Sequence, residues 1–177
     1  MGSTEIALGL PGWALRPWRE GDAPSLAQHA GNREVQRWMN DGFPHPYTLA
    51  IAEHWVRQGQ FAFGGEHFAI CHDDAAVGGC GLHAEPQDSA SASLQVGWWL
   101  GQDFWGRGVV TRVANALVAR AFEDATVQRV YAPIHAGNAR SARVAEKAGL
   151  PLERVQARGT VKDGRAVDLW IHACSRC

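Results

Sequence analysis

Residues 99–108, Trp99-Leu-Gly-Gln-Asp-Phe-Trp-Gly-Arg-Gly108, bring together residue types that can hold an anion. A strand-like apolar run ends here, two glycines free the backbone, and a helix-like run begins at Val109 and continues to Glu123. Unpaired N–H groups then converge at the positive end of a helix dipole, a place suited to a pyrophosphate. Gly106 and Gly108 permit φ angles and a close backbone approach that a Cβ would obstruct. Arg107 adds a positive charge. A Gly-x-Gly turn before a helix is common, however, and on its own also fits a plain strand-to-helix connection.

A second segment narrows the choice. His135-Ala-Gly-Asn-Ala-Arg-Ser-Ala-Arg-Val-Ala-Glu-Lys-Ala-Gly-Leu150 follows a strand expected over Val127 to Ile134 and reads as a short helix stopped by Gly149. Asn138 is placed to cap it, Ser141 lies one turn in, and Lys147 lies near its end. With both segments in view, the chain resembles the GNAT family of N-acetyltransferases. Within that family it is most similar to the branch named for the ribosomal-protein-alanine N-acetyltransferases (RimJ/RimL-like). Trp105-Gly-Arg-Gly-Val-Val-Thr111 and Asn138-x-x-Ser141-x-x-Val144-x-Glu146-Lys147-x-Gly149-Leu150 carry the likeness. Leu15-Arg-Pro-Trp-Arg-Glu-Gly-Asp22, Val96-Gly-Trp-Trp-Leu100, Arg129-Val-Tyr131 and Asp163-Gly164 with Asp168 extend it from about Ala14 to Ala173.

The resemblance implies acetyl-CoA as co-substrate and a primary amine, on a protein N-terminus or a small molecule, as acceptor, with direct attack in a ternary complex. It also implies a central sheet splayed into a V between the strand ending near Trp99 and the strand ending near Ile134. The pantetheine arm would pair with the edge of Trp98, Trp99 and Leu100 like an added strand. One of those N–H groups would also stabilise the oxyanion. The pyrophosphate would lie on Trp105, Gly106, Arg107, Gly108, Val109, Val110 and Thr111, with Asn138 and Lys147 as further cofactor contacts. Ser141 aligns with the serine that this branch sets beside the departing thiolate, and is the expected catalytic residue; a serine on the helix surface is the plainer alternative. On the acceptor side, the loop Asn40 to Tyr47 is expected to wall the amine, with Trp38 and Trp55 nearby. Phe43 and Tyr47 would cover it, and Asp41 or Glu85 would attract its charge. The rival view is that Pro44 and Pro46 stiffen a surface connection.

No residue stands out as the base. Where the branch often carries an acid after the glycines this chain has Arg112, and Arg158-Gly-Thr160-Val offers no glutamate in the penultimate strand. Glu66, His67, His83, Glu85 and Asp168 are candidates without a distinguishing spacing. His135 reads more readily as a packed or surface residue, and a water chain suffices for an amine delivered neutral. The missing acids motivate a different function, a catalytically weak or inactive acetyl-CoA-binding sensor. A phosphate-binding domain unrelated to CoA would need a βαβ repeat and an acidic ribose ligand about 20 residues after the glycines. Asp124 merely ends a helix.

The elements that must position these groups follow in order. A strand is expected over Trp13 to Arg19, helices over Gly21 to His29, Glu34 to Trp38 and Leu49 to Gln58, and a hairpin over Phe61 to Cys71 and Ala76 to His83. Ser91 to Leu100 reads as a strand with a bulge at Gly97. A long helix, Val109 to Asp124, and the strand and helix above precede a last pair, Leu152 to Val161 and Arg165 to His172, turned by Lys162-Asp-Gly164. This is one mixed α/β domain over residues 1–177, with its core at about 14–173.

Bulk properties agree. A chain of 177 residues, 46% hydrophobic, suits one domain with a substantial core. A formal charge of −1 without a Lys/Arg run offers nothing to a nucleic-acid backbone. No apolar stretch approaches the roughly 18 residues that span a bilayer. No charged-then-apolar leader precedes Trp13, Ile6 breaks the myristoylation pattern, and a cytoplasmic protein is expected. Eight tryptophans exceed what packing requires and, with the family analogy, make a homodimer plausible. His172-x-Cys174-x-x-Cys177 has the spacing of half a zinc site, but a frayed end supplies no outer shell of partners. No metal is expected, and the four cysteines, Cys71 and Cys80 among them, read as free thiols.

Overall fold

The computed structural model describes residues 5–59, 64–84 and 92–176. Its strands are β1 (Ile6–Ala7), β2 (Trp13–Arg16), β3 (Glu66–His72), β4 (Ala75–Ala84), β5 (Ser93–Leu100), β6 (Arg129–His135), β7 (Leu152–Lys162) and β8 (Arg165–Ser175). Its helices are α1 (Ala23–Ala30), α2 (Arg33–Gln36), α3 (Leu49–His54), α4 (Val109–Ala121) and α5 (Ala139–Lys147). The strands form one open mixed sheet in the order β1-β2-β3-β4-β5-β6-β8-β7, in which β5 and β6 run parallel and the other neighbours antiparallel. The mixed α/β architecture expected from the sequence is the one observed.

Each face of the sheet has its own core. Val109, Val113, Leu117 and Ala121 recur every fourth residue along α4, so one stripe of that helix is buried against Leu15, Phe68, Ile70, Val96 and Leu100. Each such side chain removed from water contributes about 1.5–3 kcal/mol. On the opposite face, α1 and α3 cover the sheet through Leu26, Ala30 and Ala52, together with Trp18, Tyr47 and Val56. Beyond β8 the edge strand β7 is largely exposed.

Several boundaries differ from expectation for identifiable reasons. β2 stops at Arg16 because Pro17 has no N–H for the ladder. β1 has only two residues, too few for a periodic signal. The helix expected to run to Gln58 turns into a π turn at Trp55–Gly59, and α4 ends at Ala121 instead of Asp124. Gly97 sits in regular register with Gly81, with no bulge; the irregularities lie instead between Ile70 and Cys71 and along β7. In β7 Arg158 has φ +52° and its N–H donates to the Asp168 carboxylate at 2.8 Å. The hairpin residues 61–63 lie outside the described residues. β8 runs on through His172 and Cys174 to Ser175, so this end is held in the sheet and not frayed, and buried His172 meets the Leu150 carbonyl at 3.0 Å. Cys71 and Cys80 are free thiols, and Cys177 lies outside the described residues. Burial pushes the Cys71 thiol up to about 11.

One buried ion pair ties β2 to the start of α1 and to the β3–β4 turn. The Arg16 guanidinium donates to both Asp22 carboxylate oxygens at 2.8 Å, while its Nε donates to the Asp74 carboxylate at 3.0 Å. The Arg16 and Asp22 side chains are 3% and 7% exposed, so neither charge has water as an alternative partner. Removing one partner of such a pair is costly because it strands the other. Asp22→Asn is therefore expected to destabilise the fold by about 3 kcal/mol in urea unfolding. A loss below about 1 kcal/mol would mean that Asp74 alone satisfies Arg16.

Candidate active site

β5 and β6 pair only at Ser93–Arg129, Leu94–Val130 and Gln95–Tyr131. The register explains where their ladder stops. Ala136 N–H donates to Asp168 and Arg176 N–H to Gln128, in the same frame as the Ala132–His172 pair. Even-numbered residues of β6 therefore bond to β8, and odd-numbered ones face β5. The next odd residue after Tyr131 is Pro133, which has no N–H to continue the ladder. Beyond this point the strands part, and a cleft of about 860 Å³ opens between them.

The other side of the split is set by β4. Gly101 N–H donates to Val77 at 2.8 Å, which makes Gly79–Trp99 and Gly81–Gly97 the hydrogen-bonded pairs and turns the backbone groups of Trp98 and Leu100 into the cleft. Trp99 departs from the expectation that all three form the free edge. Its backbone belongs to the β4 ladder, and its side chain packs toward the α1–α3 face.

The glycine loop lies at the mouth of the split. Leu100 accepts a hydrogen bond from the Trp105 indole at 2.7 Å, which anchors the turn before the glycines. Gly106 and Gly108 have φ of +78° and +75°, the left-handed region that side chains rarely adopt. Gly108 is the N-cap of α4 and offers no side-chain acceptor, so the N–H groups of Val109, Val110 and Thr111 point outward at the positive end of the helix. A Cβ at either glycine would meet no protein atom within 4 Å.

α5 supplies the facing wall. Asn138 caps it by accepting from Ser141 N–H at 3.2 Å. The Ser141 hydroxyl accepts from the Trp98 indole at 3.0 Å, so Ser141 faces the cleft and bridges its two sides instead of lying on an idle helix surface. Every candidate cofactor contact between residues 98 and 147 lines this cleft. Sequence reasoning missed Arg140 and Arg143, which join Lys147 and Arg107 there; the i, i+3, i+7 spacing of 140, 143 and 147 marks one helix face and was the available signal. Arg140 also stands over the Trp105 ring, 5.1 Å from its centroid. Among the described lining residues there is no carboxylate, so the field in the cleft favours an anion.

The acceptor candidates are dispersed. Trp38 and Asn40, the first residue of the expected loop, line the cleft, joined by Met39, Gln95, Thr160 and Leu169, which had not been singled out for this side. Tyr47 is 8% exposed within the α1–α3 core, where burial pushes its phenol up to about 12. Phe43 packs between Tyr47 and Trp99 at centroid distances of 5.0 and 6.2 Å. Asp41 accepts from the N–H groups of Asp163 and Gly164 at 2.8 and 3.3 Å, which clamp its loop to the β7–β8 turn and lower its carboxyl pKa. Glu85 lies outside the described residues. Trp55 meets His67 edge to face, and the His67 ring lies 4.7 Å from that of His83. Glu66 is held by Arg120 at 2.9 Å, and Asp168 by the β7 bulge. None of the described ones lines the cleft, nor does Arg112. Among the described residues, no group of three His, Cys, Asp or Glu is placed to hold a metal ion, and no helix is long and apolar enough to cross a membrane.

Comparison with known proteins matches this arrangement. The acetyltransferase (GNAT) domain family matches residues 14–151. YdaF of Bacillus subtilis (strain 168), whose name provisionally assigns it ribosomal N-acetyltransferase activity, is 28% identical over 155 residues, covering 84% of this chain and 82% of its own. Among solved structures, the ribosomal L7/L12 alpha-N-protein acetyltransferase RimL in complex with coenzyme A superposes with a TM-score of 0.82 at 19% identity, covering 97% of this chain and 98% of that one. The microcin C7 self-immunity acetyltransferase MccE, in complex with acetyl-CoA and AMP, does so at 0.81 and 18%, covering 94% of each chain. The split parallel pair, the uncapped glycine turn and the family match over most of the chain place this protein in the GNAT family of acetyltransferases.

Proposed function

We propose that the protein transfers the acetyl group of acetyl-CoA to a primary amine by direct attack in a ternary complex. The observation that carries this reading is a cleft lined by an uncapped helix N-terminus and four cations, with no described carboxylate, that continues through the sheet to a second, aromatic face. Acetyl-CoA, when bound, supplies the activated acyl group. The N–H groups of Val109, Val110 and Thr111 with Arg107 suit its pyrophosphate, and Arg140, Arg143 and Lys147 suit its remaining phosphate. The open space beside Gly106 and Gly108 is where a phosphate would approach the backbone. The inward backbone groups of Trp98 and Leu100 would orient the amide-bearing arm. Because Ser141 Oγ accepts from Trp98, its own proton is free to serve the departing sulfur.

Trp38, Met39, Trp99 and Leu169 give the cleft lining apolar surface, and no described carboxylate in that lining could bind a second positive charge. This favours an amine beside an apolar or aromatic group, on a peptide N-terminus or a small molecule, over a polyamine. Thiol release from acetyl-CoA in the presence of phenylethylamine, spermidine and short peptides tests the reading. Tight acetyl-CoA binding without turnover of any amine would favour the sensor alternative.

Four variants at three positions separate the parts of the site. Gly108→Ala and Gly108→Trp share the strain of a positive φ, about 1–2 kcal/mol, so both should lower Tm similarly. Only the tryptophan fills the phosphate space, and calorimetry should show acetyl-CoA affinity at least about 10-fold weaker for it than for the alanine variant, about 1.4 kcal/mol. Ser141→Ala should lower kcat by roughly 10- to 100-fold with little change in KM for acetyl-CoA; an unaltered kcat would leave the hydroxyl only its contact with Trp98. Trp38→Ala should raise KM for the amine by about 10-fold and spare KM for acetyl-CoA. Equal loss on both substrates would make Trp38 a support of the fold. Phe43 and Tyr47 are unsuited to that test, since Tyr47 belongs to the core.

A further inference from the structure

We propose that His135 is the proton acceptor for the amine, standing across the sheet split from Ser141. The inference rests on the acetyl-transfer reading above and comes from what the cleft contains. Its described ionisable side chains are Arg107, Arg140, Arg143 and Lys147, all cations, and His135. With no carboxylate in that lining, the imidazole is the one described group there equipped to take a proton near neutral pH.

Its placement suits the task. His135 ends β6, beyond the last β5–β6 pair, and its side chain falls with Tyr131 and Pro133 on the face toward which Trp99 packs. Ser141 and Trp98 belong to the other face, beside α4 and α5. The base and the thiolate partner thus flank the split from opposite sides, so an amine entering from the α1–α3 side would meet the base before the acyl carbon. Among the described residues nothing hydrogen-bonds the His135 ring, which leaves both nitrogens to a substrate. Across β8 it faces the apolar Leu169, and neighbouring Asp168 is turned to Arg158. The charged groups that act on it are Lys162, at the end of β7, and Asp41, in the clamped loop. Partial burial, then Lys162, disfavour the imidazolium, and Asp41 offsets this only in part, so the pKa is lowered and the ring is neutral at pH 7.

The proton balance closes without another reactant. The acceptor ammonium gives one proton to His135, and the neutral amine forms the C–N bond as the thioester C–S bond breaks. The second nitrogen proton leaves as the amide forms, and the thiolate takes one through Ser141. His135 then returns its proton to water.

The test is the pH dependence of kcat/KM for an accepted amine in wild type, His135→Gln and His135→Ala. The group's pKa is depressed, so its base form is present above that value and lost as pH falls through it. Wild type should level off by about pH 7, whereas in His135→Gln the logarithm of kcat/KM should keep rising with a slope of about one toward the amine's own pKa. At pH 7 kcat should fall about 100-fold with KM for acetyl-CoA unchanged, and added imidazole should restore rate to His135→Ala. A plateau retained in His135→Gln, or a parallel loss of Tm and of both KM values without a changed profile, would overturn the assignment alone. Absence of turnover by wild type with every amine of the panel would overturn the transfer reading, and this one with it.

Discussion

The parallel ladder between β5 and β6 stops at Gln95 and Tyr131, and the rest of the site depends on that stop. A parallel pair bonds through alternate residues of each strand, so one missing donor at the right parity suffices to end it. Pro133 is that missing donor. Each strand remains held on its outer side, β5 by β4 and β6 by β8, so the split costs the sheet little and leaves backbone groups facing an opening. Buried polar backbone groups require partners, and here water or an amide-bearing ligand can supply them.

Two indoles set the shape of the opening. Trp105 donates to Leu100 and fixes the loop before the glycines, while Trp98 reaches across to Ser141 and ties β5 to α5. Tryptophan suits both tasks, because a large apolar ring packs against the core while one N–H makes a directed bond. The electrostatics then follow from two sources of the same sign, the positive end of α4 and a row of cations on α5, with no described carboxylate in the lining to oppose them. Acids outside the lining have other duties. Asp41 holds the β7–β8 turn, Asp168 the bulge of β7, and Asp22 the buried Arg16.

Much of this was legible in the chain before it folded. Gly106 and Gly108, the cap at Asn138, the stop at Gly149 and the four-residue stripe of α4 are local features, governed by φ preference, hydrogen bonding over a few residues and helical period. Such forces act within one turn, so most elements and the glycine loop could be read directly, as could the mixed α/β class.

What the residues did not disclose depends on neighbours distant in the chain. Parity decides whether the Trp98 or the Trp99 backbone faces the cleft, and it comes from pairing with residues 77–84. Tyr47 and Asp41 belong to a loop whose composition suggested a substrate wall. Packing against α1 and α3 buries the first, and the β7–β8 turn engages the second. His135 was an isolated histidine in sequence, and only the tertiary structure sets it in a cleft whose described lining has no other base. The chain alone thus determined most of the elements and the glycine turn. The tertiary structure decided which side chains share the cleft, because burial and charge are sums over every element that surrounds a group.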